Sequence, residues 1–367
     1  SLPLIKAAME SEYTKDNPQT WKLAADIEYQ YYTKIENESK ADPDNNELKK
    51  KYIETSAKLL SYCIKYDSLL VLDTKMKPED KDKEHKIYQP KGVNSAIQLL
   101  QAAQNYSNSE NQEELKQGAK YAEIFINAME NSNLMKDFKH AELEGWKTYS
   151  KAFRAQSYLN IEGTPEETIV NAYKALFNTN FKGIAYQSLM NYYREKDKAK
   201  QNLYLQEGID ALKGDAEQKD LRANFVTILM QNQFQAGDKE GFMKTAEIMK
   251  TEFADDENAV NAYLMEGQFA FEAKDYETAK KAFLAGSEKY PDDEKCLLMA
   301  ARSAWMKAQT TGSKKEDMNE AITLFKKLEA ANPESPELWG ESLYVLYNNT
   351  QQPKLAANYK KYYKSNK

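Results

Sequence analysis

From about residue 17 onward the chain alternates amphipathic stretches with short polar breaks. Apolar residues return at every third or fourth place, which sets them along one face of an α-helix, and no stretch shows the strict apolar–polar alternation of a half-buried strand. The pattern predicts helices from 17–38 and 45–71 near one end to 335–349 and 353–365 at the other, and the helices come in pairs. Two starts are marked by local chemistry. In TPEE, Thr164 is placed to cap a helix with Pro165 in its first turn and Glu167 reaching back, and SPEL repeats the opening at Ser335 and Pro336. One break is long: residues 73–92, DTKMKPEDKDKEHKIYQPKG, are dominated by Lys, Asp and Glu and bounded by Pro78 and Pro90. Such a composition predicts a charged, solvated loop.

The segment TEFADDE at 251–257 returns as EKYPDDE at 288–294, a spacing of 37. A fixed period of that size indicates stacked two-element units. Residues 260–293 resemble a tetratricopeptide repeat, the helix pair of about 34 residues. Tyr263 stands at the large aromatic of the first helix and Gly267 at the small residue where the helices cross. Ala279 and Phe283 form the A-x-x-x-F pair, and Pro291 closes the unit. Glu266 and Ala270 occupy places where the pattern prefers leucine and tyrosine, so looser packing is expected there. The next copy carries Ala321, Phe325 and Pro333, with an insertion placed at TTGSKKED (310–317). A last copy starts with Trp339 and includes Tyr359, and a degenerate one with Phe242 and Ala246 lies upstream, at about 223–256. Near the start, Trp21 with Ala24 or Ala25 resembles the opening repeat of extracytoplasmic bacterial tetratricopeptide proteins.

The resemblance implies an all-α fold: a right-handed superhelical solenoid of about eight helix pairs, continuous through the chain. Residues 1–217 would form degenerate repeats with the charged loop at 73–92, and 218–367 a clearer array. Each pair has an apolar face that only a stacked neighbour can cover, so the array is stable only as a stack. The first helix of each pair would line a concave groove. Carrying the pattern onto this sequence places Gln231, Gln268, Arg302 and Tyr344 in one inward column and Phe234, Phe271, Trp305 and Tyr347 in the next. A third column holds Asn224, Asn261, Lys295 and Glu337. Amides beside aromatic rings suit an extended peptide, so a protein or peptide partner is expected. An aromatic at that place also packs between adjacent helices whatever the ligand, and such stripe residues are read as core first. Leu264 and Leu298 stand where a clamp for acidic chaperone tails would need lysine, which disfavours that ligand.

Composition narrows the classes. The 367 residues carry a net charge of −6 with pI near 5.4, so no basic field exists to displace counterions from nucleic acid. The longest apolar runs, such as SLLVL at 68–72, are far shorter than the roughly 20 residues that cross a bilayer. The two cysteines, Cys63 and Cys296, sit in apolar helical contexts and are expected as buried thiols. The two histidines, His85 and His140, have no metal-ligand spacing, and no nucleophile, phosphate-loop or zinc signature occurs. No cofactor or metal is called for. The acidic turns at 255–257 and 292–294 are better read as helix caps than as cation sites. The expectation is a non-catalytic interaction scaffold. Its 25 tyrosines, several in pairs, keep open an alternative, an extracytoplasmic glycan-binding protein that partners an outer-membrane transporter. A start at Ser1 fits removal of an upstream segment such as a signal peptide, and a periplasmic or other extracytoplasmic location is expected, with the cytoplasm as the alternative.

Overall fold

The computed structural model describes residues 2–312 and 314–363, without the side chain of Leu2. Among the described residues the regular structure is entirely helical. The helices are α1 (Leu2–Glu10), α2 (Pro18–Ala41), α3 (Asn46–Leu72), α4 (Pro78–Tyr106), α5 (Gln112–Asn131), α6 (Leu143–Asn160), α7 (Glu166–Lys174), α8 (Lys182–Tyr193) and α9 (Lys198–Ala211). They continue with α10 (Lys219–Gln235), α11 (Lys239–Glu252), α12 (Val260–Glu272), α13 (Tyr276–Lys289), α14 (Glu294–Thr310), α15 (Lys315–Ala331), α16 (Gly340–Asn349) and α17 (Pro353–Tyr359). The expected all-α class is observed. The chain divides into two compact units, Ser1–Leu189 and Met190–Lys367, with the division inside α8. The expected division at 217/218 marked where the repeat signature sharpens, which is a property of sequence and not of compactness.

In the first unit α1 to α7 each pack on the next, and α3 also reaches α5 and α4 reaches α6. Its core gathers Leu59, Leu60, Tyr66, Leu99 and Phe125, all fully buried. In the second unit α9 to α17 pack in the same sequential way, and α12 also meets α14. Ala279, Phe283, Ala301, Phe325 and Leu343 are buried together there. A methyl group on Gly267 would fall 2.5 Å from the Phe283 ring, so the helices cross at that glycine as the repeat pattern anticipated. Ala270 is buried and Glu266 is ion-paired to Lys250, so the packing expected to be loose at these two residues is filled by other means.

The turn inside each pair recurs as a backbone feature. Gly237, Lys274, Gly312 and Gln351, at the ends of α10, α12, α14 and α16, all have positive φ (70°, 59°, 82° and 57°). After α12, the Asp275 N–H donates to the Ala270 carbonyl and the Lys274 N–H to the Phe271 carbonyl, and equivalent bonds follow α10. A left-handed residue here satisfies the last carbonyls of the first helix and aims the second one back along it. Asp238 and Asp275 then cap the second helices through Gly241 N and Thr278 N.

Four local expectations are corrected. The charged loop at 73–92 is largely helix: α4 begins at Pro78 and runs through Pro90. Lys and Glu are good helix formers, Pro78 occupies the first turn, and Lys86 pairs with Asp82 one turn away. Thr164 does not cap α7, because its hydroxyl donates to the Ile161 carbonyl while Pro165 occupies the capping place. Residues 336–339 form turns, and α16 starts only at Gly340. α1 precedes the first expected helix altogether. The proposed insertion at 310–317 includes Ser313, and the expected last helix extends to 365; Ser313, 364 and 365 lie outside the described residues.

Candidate functional site

In the second unit α12 and α14 lie side by side, with α13 joining them. Along α12, Asn261, Leu264, Met265 and Gln268 follow the i, i+3, i+4, i+7 spacing of one helix face. Lys295, Leu298, Met299 and Arg302 do the same along α14, each 34 positions after its counterpart. The opposite faces, with Ala262, Gly267 and Ala270 on α12 and Ala300, Ala301 and Ala304 on α14, are buried. Small residues on the buried side bring the helices close, and the longer residues on the open side line a trough of about 450 Å³. Phe234 from α10 and Phe283 from α13 also line it.

The trough has an apolar floor of Leu264, Met265, Leu298 and Met299. Its rim carries two amides, Asn261 and Gln268, and two cations, Lys295 and Arg302, with no carboxylate in the lining. Among the described residues neither cation forms an ion pair. Gln268 donates to Glu272 Oε1 at 2.8 Å, which turns its amide along the helix. Lys295 stands at the first turn of α14, where Asp293 accepts hydrogen bonds from Lys295 N and Cys296 N. The acidic turn at 292–294 is thus a cap, as expected. In the other, Asp256 accepts from Asn258 N and closes a turn ahead of α12 instead. Among the described residues no cluster of ligating side chains could hold a metal ion.

The structure brings three of the eight expected site residues together: Phe234, Gln268 and Arg302 line the trough. Gln231 is exposed on α10 away from that lining. The aromatic column belongs mainly to packing within pairs. Phe271 meets Tyr276 at the start of its own second helix, ring centroids 5.2 Å apart. Trp305 meets Phe325 at 6.2 Å, and Tyr347, itself buried, stacks on Tyr359 at 5.7 Å. Tyr344 lies against Tyr363 at 4.7 Å. Even Phe234 is engaged edge-on with Phe269 at 4.7 Å. Leu264 and Leu298, noted in the sequence only as missing lysines, turn out to be the trough floor.

A second polar assembly, in the first unit, was not anticipated. Glu84 on α4 accepts from Lys22 at 2.5 Å and from the Tyr66 hydroxyl at 2.7 Å. The Tyr88 hydroxyl donates to Asp26 at 2.6 Å, and Lys91 lies over the Tyr88 ring at 4.2 Å. His85 Nδ1 pairs with buried Asp67 at 2.6 Å, and Asn133 donates to the other oxygen of Asp67. Burial, then the hydrogen bonds to Glu84 and Asp26, push the Tyr66 and Tyr88 hydroxyls above the ordinary phenol range. These groups satisfy one another, and their effect is to fasten the charged half of α4 to α2 and α3. The sequence carried one signal for this: the carboxylates, lysines and tyrosines of 79–91 recur at helical spacing.

No family model matches the chain, and no curated protein matches it. Among solved structures, a chain described as a circular tandem repeat protein with novel repeat topology and enhanced subunit contact surfaces is similar at 12% identity. The match spans 98% of this chain and 80% of that one, with a TM-score of 0.24. A superposition so loose does not establish a shared arrangement of helices.

Proposed function

We propose that this protein is a non-catalytic scaffold of tetratricopeptide-type helix pairs whose trough between α12 and α14 holds an extended peptide or protein segment. The crossing of α12 and α13 at Gly267, the left-handed turn at the end of each first helix from α10 to α16, and the 34-residue register of the trough lining support the repeat reading. The observation that carries the binding reading is the lining itself. An apolar floor flanked by two amides and by two cations without ion pairs favours a segment with apolar side chains facing the floor and a carboxylate near Arg302 or Lys295. In a chain of net charge −6, this is a local reversal of sign.

Fluorescence anisotropy with labelled hexapeptides tests the reading. Peptides alternating leucine with glutamate should bind, and the same peptides with lysine for glutamate should not. Replacing both cations (Lys295→Glu with Arg302→Glu) should weaken capture at least tenfold with helical circular dichroism unchanged. Trp305→Ala should lower stability and leave capture by the folded protein intact, because that ring packs on Phe325. Equal binding of acidic and basic peptides, or tight binding of oligosaccharides in place of either, would remove the proposal.

A further inference from the structure

The first unit has a half-open cavity of about 390 Å³ lined by α1, α2 and α3. Its walls are mostly apolar, with Ile5 and Met9 from α1, Ile27 from α2 and the Tyr62 ring from α3. Glu28 also lines it. Glu28 is only 5% exposed, yet among the described residues its carboxylate accepts no hydrogen bond and forms no ion pair. Its oxygens still reach the pocket, so the carboxylate is hydrated only from there and is open to a donor that enters. Two exposed lysines, Lys6 and Lys58, line the same cavity, and among the described residues neither has a carboxylate partner. Lys58 acts on Glu28 from a distance, without direct contact.

We infer that this cavity is a binding site for a small zwitterion with an apolar substituent, of the class of apolar α-amino acids. The ammonium group donates to Glu28, the carboxylate meets Lys6 and Lys58, and the apolar substituent lies among Ile5, Met9, Ile27 and Tyr62. Each charged group of the cavity thereby gains a partner of opposite sign, and the apolar wall gains an apolar surface. The volume lies within the range of small-molecule sites and accommodates a ligand of this size. A simple organic cation would satisfy Glu28 and leave both lysines facing it. A simple carboxylate would do the reverse.

Burial raises the Glu28 carboxyl above its usual range, against the pull of Lys58. An ammonium group placed on it favours the ionised form, so binding just above the ordinary carboxylate range releases a proton.

Isothermal titration of the full chain with L-phenylalanine, phenethylamine and 3-phenylpropanoate tests this. Phenylalanine is expected to bind best, with a heat that varies with buffer ionisation enthalpy near pH 5. Glu28→Gln should weaken it at least tenfold, and Lys58→Met should weaken it severalfold while leaving the affinity for phenethylamine unreduced. Met9→Trp fills the cavity from α1 and should abolish binding while the helical circular dichroism stays unchanged, which keeps the test intact should Glu28→Gln misfold. Absence of binding by phenylalanine, binding indifferent to Glu28→Gln and Met9→Trp, or phenethylamine binding as tightly as phenylalanine would each overturn the inference. None of these readouts involves the α12–α14 trough, so it stands or falls apart from the peptide proposal.

Discussion

Lys274 holds a left-handed backbone conformation (φ 59°) at a turn where the preceding pair has Gly237 and the following one Gly312. For a residue with a Cβ that conformation costs roughly 1–2 kcal/mol, part of which glycine forfeits through its freer unfolded chain. Lys274→Gly should therefore raise the stability of the second unit by about 0.5–1 kcal/mol, read as a higher urea midpoint with unchanged slope. At this scale the sequence was legible where one residue has one reason to be there. Gly267 against Phe283, Asp293 as a cap and the two buried cysteines were all expected. It was less legible where a side chain has two possible uses. Phe271, Trp305 and Tyr347 have a spacing that suits a groove and a helix contact alike, and only the position of Tyr276, Phe325 and Tyr359 decides between them.

Helices α13, α14 and α15 are tied by an ion-pair network. Glu277 accepts from Lys307 at 2.8 Å and Lys280 at 3.0 Å, and Lys280 also reaches Glu320 at 2.5 Å. The hydrogen bonds from Lys307 and then Lys280 hold the Glu277 carboxyl down to about 2. A carboxyl lowered in the folded state stabilises it above the ordinary carboxylate range, and that contribution is lost as pH falls toward 2. The urea midpoint of the parent should exceed that of Glu277→Gln at pH 6, with the gap closing steadily between about pH 5 and pH 2. A gap independent of pH would show that the network contributes through packing alone; because Glu277 is partly exposed, the gap will be modest. Where apolar periodicity is strong the sequence itself places the elements: it predicts helices over 276–289 and 315–331, the bounds of α13 and α15. The first half of α4 is not legible in this way, because its polarity suits a solvated loop as well as a helix. What makes it a helix is the set of partners waiting on α2 and α3, Lys22, Asp26, Tyr66 and Asp67, and nothing local announces them.

The all-α class followed from periodicity alone, whereas the two compact units and the Glu28 cavity depend on contacts between segments distant in the chain. Each unit has its own core and one buried cysteine, Cys63 in the first and Cys296 in the second. Both are fully buried, and burial pushes both thiols up to about 12. A thiol so placed reacts with an alkylating reagent only when its surroundings open. Phe283→Ala, which empties a buried site in the second unit at a cost of about 3–5 kcal/mol, should accelerate labelling of Cys296 far more than that of Cys63. Equal acceleration at both would mean that the chain melts as one body. The protein thus has two native timers, and mass spectrometry of the alkylated chain can follow the breathing of each half with no probe added.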